Sequence, residues 1–190
     1  MSRRAKTRLV VGLLCSPLVG VFVAGAVAQP SHQSRTIPLH GTFKVAWSGS
    51  TTGTVKCPPG TPKTTAEGSI TPCYLNVGHA KIAGLGAVTE RYTQIVLGSD
   101  TKCLKLKFTA VLTVAGKGTI TAPAATKSCL VMLAGSGSVG MDESTAQFRI
   151  TGGTGSYAGA SGHGTIHQVN HGGTGGPVTD TWAGTLTLKG

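Results

Sequence analysis

The stretch "CLKLKFTAVLTV", from Cys103 to Val114, alternates between apolar and polar side chains at nearly every position. One face carries the apolar members of the run, which are Leu104, Leu106, Phe108, Ala110, Leu112 and Val114. The other face carries Lys105, Lys107, Thr109 and Thr113. A period of two residues predicts an antiparallel strand with one face in a core and the other in water.

The same period recurs on both sides of this strand. Apolar and polar residues alternate in 41–49, 145–151 and 180–188, and further strands are predicted at 77–84, 86–96, 116–122, 129–133 and 162–170. Glycine, proline, serine and asparagine separate these segments, as they do between strands. About eight or nine short strands predict an all-β protein. We expect an eight-stranded antiparallel β-barrel, with a β-sandwich as the alternative.

The first 28 residues differ in composition from the rest. "MSRRAKTR" is basic, "LVVGLLCSPLVGVFVAGA" is apolar, and "AVA" at 26–28 offers the small residues that signal peptidase accepts. We therefore expect a signal peptide over 1–28, cleaved after Ala28, and a secreted protein. An uncleaved membrane anchor is the alternative, because the apolar run could just span a bilayer. Residues 29–40 are predicted to form a flexible lead-in, and residues 41–190 the barrel domain.

Cleavage would leave a mature chain of 162 residues, enough for one domain with a core of its own. It would remove 4 of the 17 Lys and Arg residues and leave 13 against 6 acidic ones, a net charge of +7. The remaining cations are scattered and aromatic residues do not alternate with them, so the pattern of a nucleic-acid groove is absent. A weak attraction to an anionic cell envelope is the partner that this charge suggests.

Four cysteines remain after the leader, at Cys57, Cys73, Cys103 and Cys129. An even number in an exported chain predicts two disulfides, for which three pairings exist. We favour Cys57 with Cys73 and Cys103 with Cys129, because each pair brackets a proline-containing segment that the bond would close into a loop.

Motifs for nucleotide, metal or hydrolytic chemistry are missing. Two glycine patterns, at 135–140 and 153–158, resemble dinucleotide loops, but neither is followed by the helix that a pyrophosphate site needs. His163, His167 and His171 recur every four residues, which in a strand separates neighbours by roughly 13 Å, too far for one metal ion. We therefore predict neither a metal nor a cofactor.

The stretch "ITGGTGSYAGASGHGTI", 150–166, follows a predicted strand and is rich in glycine. We interpret it as a tight corner between strands, because glycine tolerates the positive φ that such corners need. The residues assigned to this corner are Gly152, Gly153, Thr154, Gly155, Tyr157 and Gly162.

These corner residues, together with Phe148 before them and "WAGTLTL" after them, resemble the corresponding segment of the allene oxide cyclase and dirigent barrel superfamily. The resemblance is most specific over 148–164. It implies an eight-stranded antiparallel barrel and assembly into homo-oligomers. Plant members of that superfamily cyclise an oxidised fatty acid or steer the coupling of phenoxy radicals. This chain has "ASG" at 160–162, where dirigent proteins usually have "ARG".

The sequence favours a non-catalytic barrel that binds a small apolar ligand or serves a structural role at the envelope. A cyclase-like or dirigent-like catalyst, with Asp180 or Glu90 as its polar group, is the alternative. Strand parity gives the residues expected to line the ligand site, namely Trp47, Tyr92, Phe108 and Trp182, together with Asp180. Asp180 shares the apolar face of its strand with Trp182, so we expect its carboxylate to face the barrel interior.

Overall fold

A computed structural model describes residues 33–49, 56–61, 73–99, 103–132, 139–141, 143–171 and 177–190. The strands are β1 (Arg35–Gly49), β2 (Cys73–Ile82), β3 (Gly86–Ser99), β4 (Cys103–Val114), β5 (Gly118–Met132), β6 (Val139–Met141), β7 (Ser144–Ile150), β8 (Gly152–Gly153), β9 (Ser161–Asn170) and β10 (Val178–Leu188). A 3-10 turn covers Gly155–Tyr157. Within these residues, no helix has the length and apolar character needed to cross a membrane.

Eight of the strands form a closed antiparallel barrel, as the sequence predicts. Their order around the wall is β4, β3, β2, β1, β10, β9, β7 and β5, and β5 pairs again with β4 to close it. β6 and β8 are short and each pairs with β5. Closure leaves no long unpaired strand edge in this wall.

The two ends of the barrel differ in their connections. Short connections at 83–85, 115–117 and 151–160 join strands at one end, which we call the turn end. We call the opposite end the loop end. The connections there, which follow β1, β3, β5 and β9, lie mostly outside the described residues. The alternating burial of β4 and β7 confirms that one face of each strand lines the barrel interior.

The barrel begins earlier in the chain than the predicted boundary at residue 41. Arg35–His40 belongs to β1 and pairs with 183–188 of β10, in a segment that the sequence assigned to a flexible lead-in. Ile37 and Leu39 are buried in the core. The polar composition and Pro38 suggested mobility, but alternate residues face the core and supply enough apolar surface to hold the segment. The predicted signal peptide and its cleavage site lie outside the described residues.

β5 is also longer than predicted, because it runs through Pro123 where a loop was expected between two strands. Proline has no amide hydrogen to donate to a neighbouring strand. On one side β5 pairs with β8 at Ile120 and Thr121 and with β7 at Ala124 and Ala125, and Pro123 lies between these two pairings. The proline is tolerated because it occupies a gap in the ladder.

Both favoured disulfides, Cys57–Cys73 and Cys103–Cys129, are confirmed. Cys103 and Cys129 face each other directly in the register of β4 and β5. Cys73 opens β2 and Cys103 opens β4, so both bonds brace the loop end.

The glycine-rich segment after β7 folds compactly against β5. Thr154 accepts a hydrogen bond from the Thr119 amide at 3.1 Å, and the buried Tyr157 closes the 3-10 turn. Gly155 has a φ of 57°, and a Cβ there would lie 2.3 Å from the carbonyl oxygen of Lys117. Only glycine fits this position, which fixes the path of the chain from β7 to β9.

Candidate functional site

Five polar or aromatic side chains meet inside the barrel, and we call them the polar cluster: Glu90, Tyr92, Gln168, Asp180 and Trp182. Glu90, Asp180 and Trp182 are completely buried, and Tyr92 is 2% exposed. Strand parity places them there, since Glu90 and Tyr92 share the inward face of β3 while Asp180 and Trp182 share that of β10.

Two hydrogen bonds of the cluster cross the barrel from β10 to β3, which lie three strand steps apart in the wall. Trp182 donates its indole N–H to Glu90 Oε1 at 3.0 Å. Tyr92 donates its hydroxyl to Asp180 Oδ2 at 2.6 Å. Each strand therefore supplies one donor and one acceptor, and the pattern fixes the two strands in one relative position.

Gln168 on β9 completes the surroundings of Asp180. Its amide nitrogen donates to Asp180 Oδ1 at 3.0 Å and to the Tyr92 hydroxyl oxygen at 2.7 Å. Asp180 thus has a donor on each carboxylate oxygen. Hydrogen bonds of this kind favour the charged form of a carboxyl group.

The Trp182 ring is held by other aromatic rings. Its centroid lies 4.6 Å from that of Phe148 and 6.3 Å from that of Phe43. Phe148 in turn occupies space that Gly164 and Gly184 leave open, because a Cβ on either would lie within 3 Å of its ring. These glycines belong to the segments that carry the family resemblance, and here they serve to position the indole that contacts Glu90.

The two carboxyl groups of the cluster lie in an apolar interior without a cation beside them. Every Lys and Arg of the described residues is exposed. Burial, and then the charge of Asp180, raise the pKa of Glu90 well above its usual value, against a smaller opposing effect of the Trp182 hydrogen bond. Burial also raises the pKa of Asp180, and the hydrogen bonds from Tyr92 and Gln168 oppose that rise. Of the two carboxyl groups, Glu90 therefore keeps its proton to a higher pH than Asp180 does.

Two buried polar atoms on β3 have no hydrogen-bond partner among the described residues, and these are Glu90 Oε2 and Gln94 Nε2. A protonated carboxyl is a donor through its O–H group, and an amide nitrogen is always a donor. Both atoms can therefore donate to an oxygen that enters the barrel. Leaving such groups unpaired costs free energy, which a bound acceptor would recover.

A narrow void lies next to the cluster, lined by Phe108, Thr126, Ser144, Ala146, Ile166 and Gln168. It has no room for a water molecule as it stands. A ligand can enter this part of the interior only if side chains such as Phe108 move.

The structure brings together four of the five residues predicted to line a ligand site. Tyr92, Phe108, Trp182 and Asp180 are all buried inside, and the Tyr92 and Phe108 rings lie 4.6 Å apart. Trp47 is only partly buried and packs edge-on against Tyr74 at 5.1 Å, at the margin of the core. That these residues contact a ligand remains a prediction.

Sequence reasoning did not identify Gln94 and Gln168, and it gave Glu90 no partner. β3 has polar residues on both faces, with Thr89, Arg91 and Thr93 outside, so its pattern does not show which face is buried. Tyr92 was predicted to face the interior, and side chains two residues apart on a strand share a face. The same prediction therefore applies to Glu90 and Gln94. Among the described residues, no three His, Cys, Asp or Glu side chains come together in a way that could hold a metal ion.

The closed eight-stranded antiparallel barrel has the fold of a dirigent protein. Among solved structures, the chain is similar to the pterocarpan synthase dirigent protein GePTS1, with a TM-score of 0.50 and 14% sequence identity over 85% of this chain and 90% of that one. At this identity the likeness shows the fold. No protein-family model matches the sequence, and neither does any curated protein.

Proposed function

We propose that this protein is a secreted barrel that binds a small, mostly apolar molecule with one hydrogen-bond acceptor in its interior, without reacting with it. The observation that carries the proposal is the pair of unpartnered buried donors on β3, Glu90 Oε2 and Gln94 Nε2. They flank Tyr92 on one inward face, in a barrel whose remaining lining is largely apolar. Secretion is supported by the two disulfides, which persist in oxidising compartments.

The size of the interior limits the ligand. Since the void beside Gln168 does not admit a water molecule, binding must move side chains, and Phe108 is the largest of those that line it. A flat molecule with one aromatic ring requires the smallest displacement. We therefore expect aromatic ketones or phenols to be better ligands than long lipids.

Acetophenone and isopropylbenzene test the proposal, because they have nearly the same shape and differ in the carbonyl oxygen. We expect acetophenone to bind roughly tenfold more tightly in a calorimetric titration near pH 6, since only acetophenone can accept a hydrogen bond from Glu90 or Gln94. Glu90→Leu, which removes the donor, should reduce this preference. Glu90→Gln keeps an N–H donor at the same place and should retain it.

The pH dependence separates a specific site from nonspecific uptake. As the pH rises through the raised pKa of Glu90, its carboxyl loses the proton that it donates, so the preference for acetophenone should decline in the native protein. It should stay constant in Glu90→Gln. Equal affinity for both molecules at every pH, or binding of neither, would contradict the proposal.

A second candidate, a cyclase-like or dirigent-like catalyst, is favoured by one observation. Glu90 is a buried carboxyl with a raised pKa and a free oxygen, which is the state that a general acid requires. The similar dirigent protein is named as a pterocarpan synthase, so a phenolic substrate is the first class to assay. Catalysis predicts that Glu90→Gln abolishes turnover and leaves acetophenone binding intact. Equal turnover in both proteins would exclude Glu90 as the acid.

The distribution of charge supports a weak attachment to anionic polymers of the cell envelope. Glu90 and Asp180 are buried inside, and Glu143 is the acidic residue among those described that remains exposed. The outer wall is thus more basic than the net charge suggests. Such attachment should be released by salt, since the Debye length falls from about 10 Å at 0.1 M to about 3 Å at 1 M. Cell-wall fractions washed with increasing salt would show this, and retention at 1 M salt would contradict it.

A further inference from the structure

A groove of about 840 Å³ lies on the outer wall of the barrel, over β3, β4, β5 and β7. Its floor is apolar and includes Phe108, Pro123, Ala124 and Phe148. Phe108 and Phe148 belong to the core and border this groove while they are only 6% and 3% exposed. The volume is within the range of about 300 to 1,000 Å³ that is usual for small-molecule sites.

The groove exists because the wall is thin where β5 passes Pro123. The proline lies in the gap between the pairing of β5 with β8 and its pairing with β7. The neighbouring β5 residues Ala122, Ala124 and Ala125 have the smallest side chains that a strand can carry apart from glycine. These small side chains leave the floor of the groove open between β4 and β7.

Two cations flank this apolar floor from opposite sides. Lys107 on β4 and Arg149 on β7 are both exposed and both line the groove. Lys107, Ala125 and Gln147 lie on one line across β4, β5 and β7, which spans roughly 10 Å at two strand spacings. Arg149 is two residues further along β7, so the two charges face the groove from its two edges.

No negative charge balances these cations. The described residues that line the groove include no acidic side chain, and neither Lys107 nor Arg149 forms a salt bridge with another described residue. Two like charges beside an apolar surface do not stabilise the fold. They do complement a molecule that has an apolar body and an anionic group.

We propose that this outer groove is a second binding site, for a small amphipathic anion such as an alkyl or aryl carboxylate. The apolar body lies on Pro123 and Ala125 of β5, and the carboxylate is held by Lys107 or Arg149. This site uses other polar groups than the interior site, cations on the outer face in place of donors on β3, and the two linings share Phe108. Either site can fail without the other.

Dodecanoate and dodecanol are the probes that test this site in the full-length protein, because they share an alkyl chain and differ in charge. We expect dodecanoate to bind more tightly than dodecanol in a calorimetric titration at low ionic strength. The double variant Lys107→Gln/Arg149→Gln should weaken dodecanoate binding roughly fivefold to tenfold and leave dodecanol binding unchanged. The matched control Arg35→Gln/Lys44→Gln removes the same charge from exposed sites on β1, outside the groove, and should have a much smaller effect.

Filling the groove gives an independent measurement without a change in charge. Ala125 is exposed and lines the groove, so Ala125→Leu places a larger side chain on the floor and should weaken both probes. Ala183→Leu, at an exposed alanine of β10, is its control and should leave both affinities unchanged. Acetophenone binding inside the barrel should not respond to Ala125→Leu.

Three outcomes would overturn the inference. Equal affinity for dodecanoate and dodecanol would show that the cations do not select the ligand. Equal losses in the two double variants would show that overall charge, and not the groove, attracts the anion. Binding to phosphatidylglycerol vesicles in the absence of any dodecanoate binding would assign the surface to a lipid membrane instead.

Discussion

The turn end and the loop end of this barrel use the same strands but bury different side chains. At the turn end the inward residues are aliphatic, and they include Leu39, Ile82, Val88, Ile120 and Leu186. Towards the loop end the strands turn polar groups inward, and these include Asn76, Gln94, Ser128, Ser144, Gln168 and Asp180. Between them lie Glu90 and Trp182.

The difference shows where stability comes from and where it is reduced. Burying a methylene group stabilises a fold by about 0.8 kcal/mol, whereas a buried polar atom without a partner costs about 1 to 3 kcal/mol. The aliphatic end therefore contributes strongly to stability, and the unpartnered atoms of Glu90 and Gln94 reduce it. Both disulfides brace the polar end. The ligand that we propose would recover the cost of the unpartnered atoms.

Removing a large side chain from the aliphatic end should have the largest effect. We expect Leu39→Ala to lower the free energy of unfolding by about 3 kcal/mol, measured by urea denaturation, because Leu39 is completely buried. Leu97→Ala, at a leucine that is 47% exposed, is the control and should cost much less. Because Leu39 lies in the predicted lead-in, a negligible effect would mean that this segment does not hold the barrel together.

Neutralising Glu90 should stabilise the protein at alkaline pH. The folded protein keeps this proton at pH values where the unfolded chain has lost it, so the free energy of unfolding falls as the pH rises above about 4.3, the pKa of an unperturbed glutamate. The fall continues up to the raised pKa of the folded state. Glu90→Gln should remove this part of the pH dependence and increase stability at pH 8 by about 1 to 3 kcal/mol.

Glu143→Gln is the matched control, since Glu143 is exposed. It should leave the pH dependence of unfolding nearly unchanged. If Glu90→Gln destabilised the protein at pH 8, Glu90 would have to be paired in its charged form, and the proposal that it donates to a ligand would be wrong.

Deleting one hydroxyl group from the polar end should have a moderate effect. Tyr92→Phe removes the donor to Asp180 Oδ2 and an acceptor of Gln168, with little change in shape. We expect a loss of about 1 to 2 kcal/mol in urea denaturation, because one oxygen of a buried carboxyl is left without its donor. Tyr157→Phe serves as the control, at a tyrosine buried in the aliphatic end. If both variants lost the same free energy of unfolding, the Tyr92–Asp180 hydrogen bond would contribute no more than any buried tyrosine hydroxyl.

The aliphatic end could be predicted from the sequence because its strands alternate cleanly. β4 from Leu104 and β7 from Ala146 place an apolar residue at every second position, and this pattern fixes both the strand and the face that is buried. The two disulfides followed from the number of cysteines and the segments that they bracket. The inward direction of Asp180 followed from its parity with Trp182.

The polar end could not be predicted in the same way, for physical reasons. A strand such as β3, with polar groups on both faces, has no pattern that distinguishes inside from outside. Trp182 and Tyr92 bind Glu90 and Asp180 from across the barrel, so only closure brings these pairs together. The path of β5 was missed because Pro123 indicates a loop, and the gap in pairing that accommodates it depends on β7 and β8.

The outer wall near the loop end has two like charges opposite each other, and these give the smallest predicted effect. Lys105 on β4 and Lys127 on β5 face each other directly in the register. Like charges in this position repel, so Lys105→Glu should raise stability by about 0.5 kcal/mol at low ionic strength, and 1 M salt should remove the gain. Lys44→Glu, opposite Thr179 on β10, is the control and should gain less. If Lys105→Glu gave the same gain at both salt concentrations, its origin would be packing and not charge. A salt-sensitive gain would show that the polar end of the barrel is unfavourable outside as well as inside.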